Sequence, residues 1–481
     1  MLKASLSRGP GRGRLQRRAV LRAAGGAILA SVVAPGVGGC ARARPVASSQ
    51  KLILRFVPMN ALGNNLAVLR KALWEVTASF RKAHPGIDLR MSAWAALNGG
   101  YKAAIVAGDA PDVIYDLTFF PYASQGLITD LSPYLEQENI NLDVFSAGAT
   151  DHLRWNGKLL ALPSFVNSCA MVVNQAHLDT LGLKYPDPEA DYTAWAQMWR
   201  AASGSVNGQH RYGGGLLFWF HGLADFYFRG WGGNVVDPAN RARCVLDARP
   251  AVACGEFLLQ LLMDGSATTN SCCDAGGKLT SGEQVSAVVS ASNLPVQVLA
   301  ALPKWDFYPM PRWPVRPAAF THVPFYAISA SSRHPDAAWE LLRWICIDPE
   351  YQRAKLKLVF QPPALKSVWE EYAAVVQAVV PPFRTRRVDV LQQPVVSNEV
   401  YAGPDFRYAS PQAYQILVEA YASILGRRLG VREGFMQAAR QVNALETASE
   451  GEVPQTLAAL HAASEQGRRR LDGMFVAASA G

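Results

Sequence analysis

The chain of 481 residues has no run of 18 or more apolar residues after its first 40 positions. A membrane-spanning helix needs about 20 such residues, so we predict that this part of the chain does not cross a membrane. Only 18% of the residues are charged and 50% are hydrophobic, which is enough apolar material for a large buried core. The length alone predicts two or three domains.

Acidic residues are absent before Cys40, whereas seven basic residues lie there: Lys3, Arg8, Arg12, Arg14, Arg17, Arg18 and Arg22. These seven account for most of the net charge of +9 and leave +2 for the chain from Cys40 onward. A nearly neutral body gives no electrostatic argument for nucleic-acid binding. The short basic cluster at Arg384, Arg386 and Arg387 is predicted to be a solvated loop.

Motifs for metal or nucleophilic chemistry are also missing. There is no Cys-x-x-Cys, no His-Glu-x-x-His and no Gly-x-Ser-x-Gly. Residues 79–82 satisfy Ser-x-x-Lys and 205–207 satisfy Ser-x-Asn, but the Lys-Thr-Gly of a penicillin-binding enzyme is absent. Residues 277–278 lack the other residues of a phosphate-binding loop. We therefore predict no enzyme, cofactor or metal site, although a glycosidase with two facing carboxylates stays open as an alternative.

The first 40 residues have the order of an export signal. A basic region ends in Arg17-Arg18, an apolar stretch follows from 23 to 37, and Gly38-Gly39-Cys40 comes next. The paired arginines resemble a twin-arginine signal, and the small residues before Cys40 resemble a lipobox. We predict a signal peptide at 1–39, lipidation of Cys40 and a flexible tether at 40–50.

Six cysteines follow Cys40 and permit 15 pairings, between which the sequence does not choose. Four of them are close enough in sequence for one local disulfide: Cys244, Cys254, Cys272 and Cys273. Whether that bond forms stays open.

Apolar runs and periodicity predict alternating strands and helices. Strands are expected at 51–57, around 87–91 and at 113–115, with a helix before the second strand. This order is typical of a parallel α/β sheet. A helix with an apolar stripe is predicted at 335–347, a loop at 305–317, and a mostly helical C-terminal part.

Several short motifs follow one another along the chain in a characteristic order. They are Gly108-Asp109-Ala110-Pro111-Asp112, Gly126-Leu127-Ile128-Thr129-Asp130-Leu131, Asn156-Gly157-Lys158, Trp231-Gly232-Gly233 and His334-Pro335-Asp336-Ala337-Ala338-Trp339. Together they resemble the extracellular solute-binding proteins of carbohydrate ABC importers, of the maltose-binding-protein type, over roughly residues 51–450. The chain departs from the family pattern at 282–288 and 321–324, which flank the ligand cleft in that family.

The resemblance implies an α/β, two-lobed periplasmic-binding-protein fold of type II, with the ligand cleft between lobes joined by three hinge crossings. We expect lobe 1 to contain 51–165 and 322–368, and lobe 2 to contain 166–321 and 369–481. The crossings are expected near 164–167, 316–322 and 366–370, and ligand binding is expected to close the lobes.

A sugar site needs flat aromatic surfaces and planar polar groups. The candidate ligand-binding residues lie at predicted strand ends, loops and crossings: Tyr115, Asp116, Asn167, Trp219, Trp231, Ser292, Asn293 and Tyr408. Asp116 has the alternative role of a helix cap or turn residue, and the tryptophans have the alternative role of core packing. A phosphorylated ligand would require basic residues such as Arg229 and Arg312.

The resemblance implies a monomeric substrate-binding protein that captures a mono- or oligosaccharide outside the cytoplasmic membrane. Its partners would be that carbohydrate, the ABC permease subunits, and the membrane through the lipid on Cys40, with no nucleic acid. The alternatives are a polyol or glycerol-phosphate ligand, and a receptor that presents its ligand to a signalling protein instead of a permease.

Overall fold

The computed structural model describes residues 51–58, 71, 73–92, 104, 110–206, 208–217, 225–270, 275–294, 296–319, 321–396 and 405–479. By its internal contacts, the segment Gln50–Gly481 forms one unit. The described strands are β1 Leu52–Phe56, β2 Ile87–Met91, β3 Val113–Asp116, β4 Arg154–Trp155, β5 Lys158–Leu159, β6 Leu162–Pro163, β7 Cys169–Asn174, β8 Gly204–Val206, β9 Gln209–Leu217, β10 Ala267–Asn270, β11 Gln284–Ser290, β12 Trp305–Tyr308 and β13 Phe325–Ile328.

The described α-helices are α1 Ala78–Ala83, α2 Phe120–Ser124, α3 Ser132–Gln137, α4 Gln175–Thr180, α5 Tyr192–Ala202, α6 Asp225–Gly230, α7 Arg249–Met263, α8 Ala275–Ser281, α9 Val296–Ala300, α10 Pro335–Ile347, α11 Pro349–Val359, α12 Lys366–Trp369, α13 Tyr372–Val379, α14 Gln393–Val396, α15 Ser410–Leu425 and α16 Val431–Ser479. Short 3-10 helices lie at Leu142–Val144, Asp151–Leu153, Ala291–Asn293, Pro381–Phe383 and Val388–Leu391.

The first sheet has the strand order β2-β1-β3-β13-β6. Its first three strands are parallel, as their alternation with helices predicts, and β13 returns antiparallel to β3. One hydrophobic core packs on it and includes Leu54, Ile114 and Leu342, each fully buried. Burying each such side chain contributes about 1.5–3 kcal/mol of transfer free energy. This sheet and its core are called the first lobe below.

The second sheet has the order β10-β9-β11-β7-β12, with β8 paired to β9. Alternate residues of β7 enter two different cores: Met171 and Val173 pack on one face, and Ala170 and Val172 on the other. Both faces of the sheet are therefore covered, which explains why β7 is an unbroken apolar run. This sheet and its two cores are called the second lobe.

One helix and one loop predicted from the sequence can be compared directly with the structure. The helix predicted at 335–347 is confirmed as α10, and all four residues of its predicted stripe are buried: Ala338, Leu341, Leu342 and Ile345. The loop predicted over 305–317 is wrong at its start, because Trp305–Tyr308 forms β12 against β7. β12 lies at the edge of the sheet, where the prolines that follow it disturb no further pairing.

Three segments that connect the lobes pair with one another. The Ser164 amide donates to the Pro324 carbonyl, the Val166 amide to Pro362, and the Asn167 amide to His322, over 2.8, 3.1 and 2.7 Å. The last of these forms an antiparallel bridge between Asn167 and His322. The hinge is therefore a single strip of paired backbone and not three independent linkers. The third paired segment, at 362–363, precedes the predicted third crossing at 366–370, where the structure has α12.

A buried lysine supports this strip. Lys355 on α11 is 1% exposed and donates from Nζ to the Ser164 carbonyl over 2.7 Å. Burial lowers the pKa of Lys355 to about 8. The interaction ties α11 directly to the first crossing.

The cysteines within the described residues form no disulfide. Cys169, Cys244, Cys254 and Cys346 are buried thiols, so neither Cys244 nor Cys254 takes part in a local disulfide. Cys272 and Cys273 lie outside the described residues. Among the helices that the structure describes, none has both the length and the apolar character required to cross a membrane.

Candidate ligand-binding site at the hinge

The carboxyl ends of β3 and β11 meet the first two crossings. Asp116 ends β3, Ser290 ends β11, and Asn167 and His322 form the bridge between the crossings. In open α/β folds, ligands bind outside the carboxyl ends of strands. The fold therefore brings polar residues of both lobes to the edge where a ligand is expected.

Asn167 is held in one orientation by three donors. Its Oδ1 accepts from the Ser168 amide, the Ser292 amide and the Ser290 hydroxyl, each over 3.0 Å. Backbone amides can only donate, so Oδ1 must face them and the side-chain amide cannot flip. The position of Nδ2 is fixed by the same three bonds, which gives the hinge one oriented amide donor.

His322 joins the second crossing to the end of β3. It is 5% exposed, and its Nε2 lies 3.1 Å from the Leu117 carbonyl, which requires the ring nitrogen to donate. Burial lowers the pKa of His322 to about 4, so the imidazole is neutral at physiological pH. The sequence identified 321–324 as a departure from the family pattern but gave His322 no role.

Asp116 is engaged within its own turn. It is fully buried, and its Oδ1 accepts from the Leu117 amide at 2.6 Å and the Thr118 amide at 3.2 Å. Its Oδ2 accepts from the Tyr122 hydroxyl. Burial raises the pKa of Asp116, and these hydrogen bonds oppose the increase. The contacts are those of the turn residue that the sequence offered as an alternative.

Two of the predicted aromatic residues have neighbours within one lobe. Tyr115 is 1% exposed, and its ring centroid lies 5.2 Å from that of Tyr326 in the first-lobe core. Trp231 is half-buried, with ring centroids 5.3 Å from Tyr192 and 5.4 Å from Phe257. The Nε1 atom of Trp231 is buried without a partner among the described residues.

The remaining predicted residues are Ser292, Tyr408, Trp219 and Asn293. Ser292 lies beside Asn167, and its hydroxyl is 3.0 Å from that of Ser290. Tyr408 donates from its hydroxyl to Glu450 over 2.9 Å. Trp219 lies outside the described residues, and for Asn293 the structure describes only the backbone, in the 3-10 helix after β11.

A polar cluster that sequence reasoning missed lies between the lobes. Asp405 is 1% exposed. Its carboxylate accepts from the Tyr414 hydroxyl over 2.9 Å and from the Phe119 amide over 3.3 Å. Burial raises the pKa of Asp405 to about 7, against the opposing effects of Tyr414 and Arg241. An aspartate in a short loop before α15 carries no sequence signal for such burial.

The two arginines considered for phosphate binding differ in their surroundings. Arg229 is 7% exposed, pairs with Asp225 over 3.1 Å and donates to the Ala319 carbonyl over 3.0 Å. Arg312 is exposed, and its backbone bridges Asp191 at the start of α5. Within the described ranges, no group of three or more His, Cys, Asp or Glu side chains is placed to hold a metal ion.

Several solved structures are similar to this one in fold. An ABC substrate-binding protein of Listeria monocytogenes, solved with cycloalternan, matches with a TM-score of 0.67 and 16% identity, over 82% of this chain and 99% of that one. Maltose-bound MalE3 of T. maritima matches with a TM-score of 0.64 and 19% identity, over 82% and 100%.

UgpB of Mycobacterium tuberculosis, solved with glycerophosphocholine, matches with a TM-score of 0.66 and 17% identity, over 82% and 98%. At these identities the likeness establishes the two-lobed type II fold. No curated protein sequence matches this chain.

The sequence profile of the bacterial extracellular solute-binding proteins matches residues 75–379, which is more than half of the chain. The profile covers α1 to α13, and therefore the second sheet, the hinge strip and every strand of the first sheet except β1. The chain belongs to the bacterial extracellular solute-binding protein family.

Proposed function

We propose that this protein captures a carbohydrate outside the cytoplasmic membrane and delivers it to the permease of an ABC importer, without catalysis. The observation that carries the proposal is the oriented amide of Asn167, a planar donor fixed where both lobes and the hinge meet. Hydroxyl groups of a sugar are ligands for such a donor. Several structural relatives were solved with sugars, among them maltose and mannotriose.

In this proposal Asn167 donates to a ligand hydroxyl, and the Ser292 hydroxyl is its neighbour in the site. Neutral polar groups surround Asn167, since His322 is uncharged and Ser290 and Ser292 are hydroxyls. A phosphorylated ligand would be held by arginine or lysine side chains. Arg229 is already paired with Asp225, which favours an uncharged ligand over a glycerol-phosphate type.

The cellular setting follows from the family and from the N-terminal sequence. Export fits an extracellular solute-binding protein. We propose further that 1–39 is a twin-arginine signal, that Cys40 carries the lipid anchor, and that the protein acts as a monomer. The lobe boundaries expected from the sequence are part of the same proposal.

The ligand class is tested by thermal denaturation of the chain from Ala41 onward with maltose, mannotriose, tagatose and glycerophosphocholine. A ligand that binds only the folded state raises the free energy of unfolding by about 2.7 kcal/mol at a hundredfold excess over Kd. We expect a raised Tm with a sugar. A rise with glycerophosphocholine alone would contradict the carbohydrate assignment while leaving the family membership intact.

The role of Asn167 is tested by Asn167→Asp. Aspartate keeps the oxygen that accepts from Ser168, Ser290 and Ser292 but replaces the Nδ2 donor with an acceptor. We expect the Kd for the sugar to rise by at least about tenfold, or roughly 1.4 kcal/mol, by isothermal titration calorimetry.

The matched control is Asn240→Asp. Asn240 is exposed, and its Oδ1 likewise accepts from a backbone amide, that of Ala242 over 3.2 Å. The control is expected to leave the Kd unchanged. Equal affinities for the two variants and the unmodified protein would remove Asn167 from the site.

A further inference from the structure

A short segment of the second lobe contacts the first lobe through protein groups alone. It consists of residues 405–408 together with Arg241, and is called the latch below. Its Asp405 accepts from the Phe119 amide, and the carbonyl of Arg407 accepts from the Ser124 hydroxyl over 3.2 Å. Phe119 belongs to the first-lobe core, and Ser124 ends α2 beside it.

Two guanidinium groups of the latch lie over aromatic rings of the first lobe. The Arg241 guanidinium carbon is 4.4 Å from the centroid of Phe120, and that of Arg407 is 5.4 Å from Trp155. Such cation–π contacts are attractive, and more so when water is excluded. Phe120 is 7% exposed, so the first of these contacts is largely dry.

The latch is anchored on the second lobe. Within the latch, Arg241 donates from Nη1 to the Asp405 carbonyl over 3.2 Å, and the Arg241 carbonyl accepts from the Arg407 amide over 3.0 Å. On α16, the carboxylate of Glu446 accepts from the amides of Tyr408 and Ala409 over 3.0 and 2.7 Å.

Glu446 is fully buried, and the Tyr414 hydroxyl of α15 holds Asp405. The segment therefore moves with the second lobe and cannot follow the first when the lobes separate. Opening the lobes must break its contacts with Phe119, Phe120, Ser124 and Trp155.

We propose that the latch holds the two lobes together in the absence of ligand, so that the protein populates a closed arrangement before it binds. Each contact uses backbone or side-chain groups of this chain, and none requires a ligand atom. A ligand that binds the closed arrangement then shifts an equilibrium already biased toward that state. The proposal rests on the two-lobed fold and holds whatever solute is bound.

The test combines Arg241→Met and Ser124→Ala in the full chain carrying Cys40→Ser to prevent lipidation. Together they remove the contact of Arg241 with Phe120, its bond to the Asp405 carbonyl, and the bond from Ser124 to Arg407. Methionine keeps the apolar stem of arginine and loses the guanidinium. Neither substitution removes an atom of the bond from the Phe119 amide to Asp405. Faster hydrogen exchange of the Phe119 amide together with a larger radius of gyration therefore reports separation of the lobes.

Without any added ligand, we expect about 5- to 30-fold faster exchange at the Phe119 amide. Small-angle X-ray scattering is expected to give a larger radius of gyration. The control is Arg200→Met, which removes an arginine paired with Asp264 inside the second lobe over 3.0 Å and should leave both readouts as in the unmodified protein.

Unchanged exchange at Phe119 with an unchanged radius of gyration would overturn the proposal. Ser124→Ala alone removes only the bond to the Arg407 carbonyl and leaves Arg241 and Asp405 unchanged, so it provides the same test if the double variant does not fold. In that variant an exchange rate equal to that of the control would equally overturn the proposal. A sugar-free sample suffices throughout, so the outcome is independent of the ligand class.

Discussion

Replacement of Gly213 by alanine is expected to destabilise the second lobe by about 3 kcal/mol. Gly213 lies in β9 where α5 crosses it, and a Cβ there would lie 2.1 Å from the Trp199 carbonyl oxygen and 2.4 Å from its Cα. The obstacle is backbone, which no side-chain rotation relieves. Trp199 is also held in place, because its Nε1 donates to the Ser286 hydroxyl on β11 over 2.8 Å.

The measurement is urea unfolding followed by circular dichroism, with Gly277→Ala as the control. Gly277 is exposed in α8, and a Cβ added there meets nothing within 4 Å. Alanine in a helix is favoured over glycine by about 0.8–1.0 kcal/mol, so this variant should be slightly stabilised. If Gly213→Ala unfolds at the same urea concentration as the control, the close approach of α5 and β9 is wrong.

The second large effect is a loss of stability in acid that originates from His322. The folded-state pKa of His322 is about 4, below the ordinary value of 6.5, so the unfolded chain binds more protons between these two values. The stability that the neutral His322 contributes is therefore fully present above pH 6.5 and decreases as the pH falls toward 4. A difference of this size corresponds to about 3 kcal/mol at the acid end of the window.

His152 contributes in the same direction, since burial, followed by the charge of His322, lowers its pKa to about 3. Asp405 acts in the opposite direction. Its folded pKa of about 7 exceeds the ordinary value of 3.8, so stability from this group decreases as the pH rises through that window. The contribution of His322 must therefore be isolated by comparing variants and cannot be read from one profile.

His322→Gln keeps an amide that can donate to the Leu117 carbonyl and does not titrate. We expect its free energy of unfolding to change less between pH 7 and pH 4 than that of the unmodified protein, by up to about 3 kcal/mol. His210→Gln, at an exposed imidazole of β9, is the comparison variant. Parallel pH profiles for His322→Gln and His210→Gln would contradict the assignment.

The sequence predicted those elements whose local pattern agrees with their final environment. α10 has an apolar stripe at helical spacing, a proline at its first residue and an aspartate in its first turn, and it forms over the predicted residues. β1 and β3 contain short apolar runs and β2 alternates apolar with polar residues, and the three strands are parallel, as the alternation of strands and helices in the sequence predicts.

β9 is a strand that its local sequence does not predict. Its Gly213-Gly214-Gly215 resembles a turn, yet these residues form the middle of a strand. Trp199 of α5 approaches Gly213 and Gly214 too closely for a Cβ, and the side chains of Asn270 and Gln284 do so at Gly215. That approach is a property of the packed lobe and leaves no signature in the strand itself. β12 was missed for a related reason, since its pairing with β7 is set by residues more than 100 positions away.

The place of Asn167 in the fold was predictable from the sequence, whereas the partners of other candidate residues were less so. Asn167 was singled out from its place at a crossing, and the structure puts it at the bridge with His322. The local partners of Asp116 depend on the turn after β3, and the burial of Asp405 depends on α15 and α16. For Asp405, interactions that join distant segments of the chain determine the role, and no local pattern encodes it.

Among the described residues, buried cysteine thiols lie in both lobes, so the unfolding of each lobe can be followed separately. Cys346 lies in the first-lobe core, whereas Cys169 and Cys254 lie in the second. Burial raises the pKa of Cys346 to about 12 and that of Cys254 well above its usual range, so neither is a thiolate when folded. An alkylating reagent would therefore mark these positions only as their own lobe opens, and peptide mass mapping would show which lobe yields first under heat or denaturant.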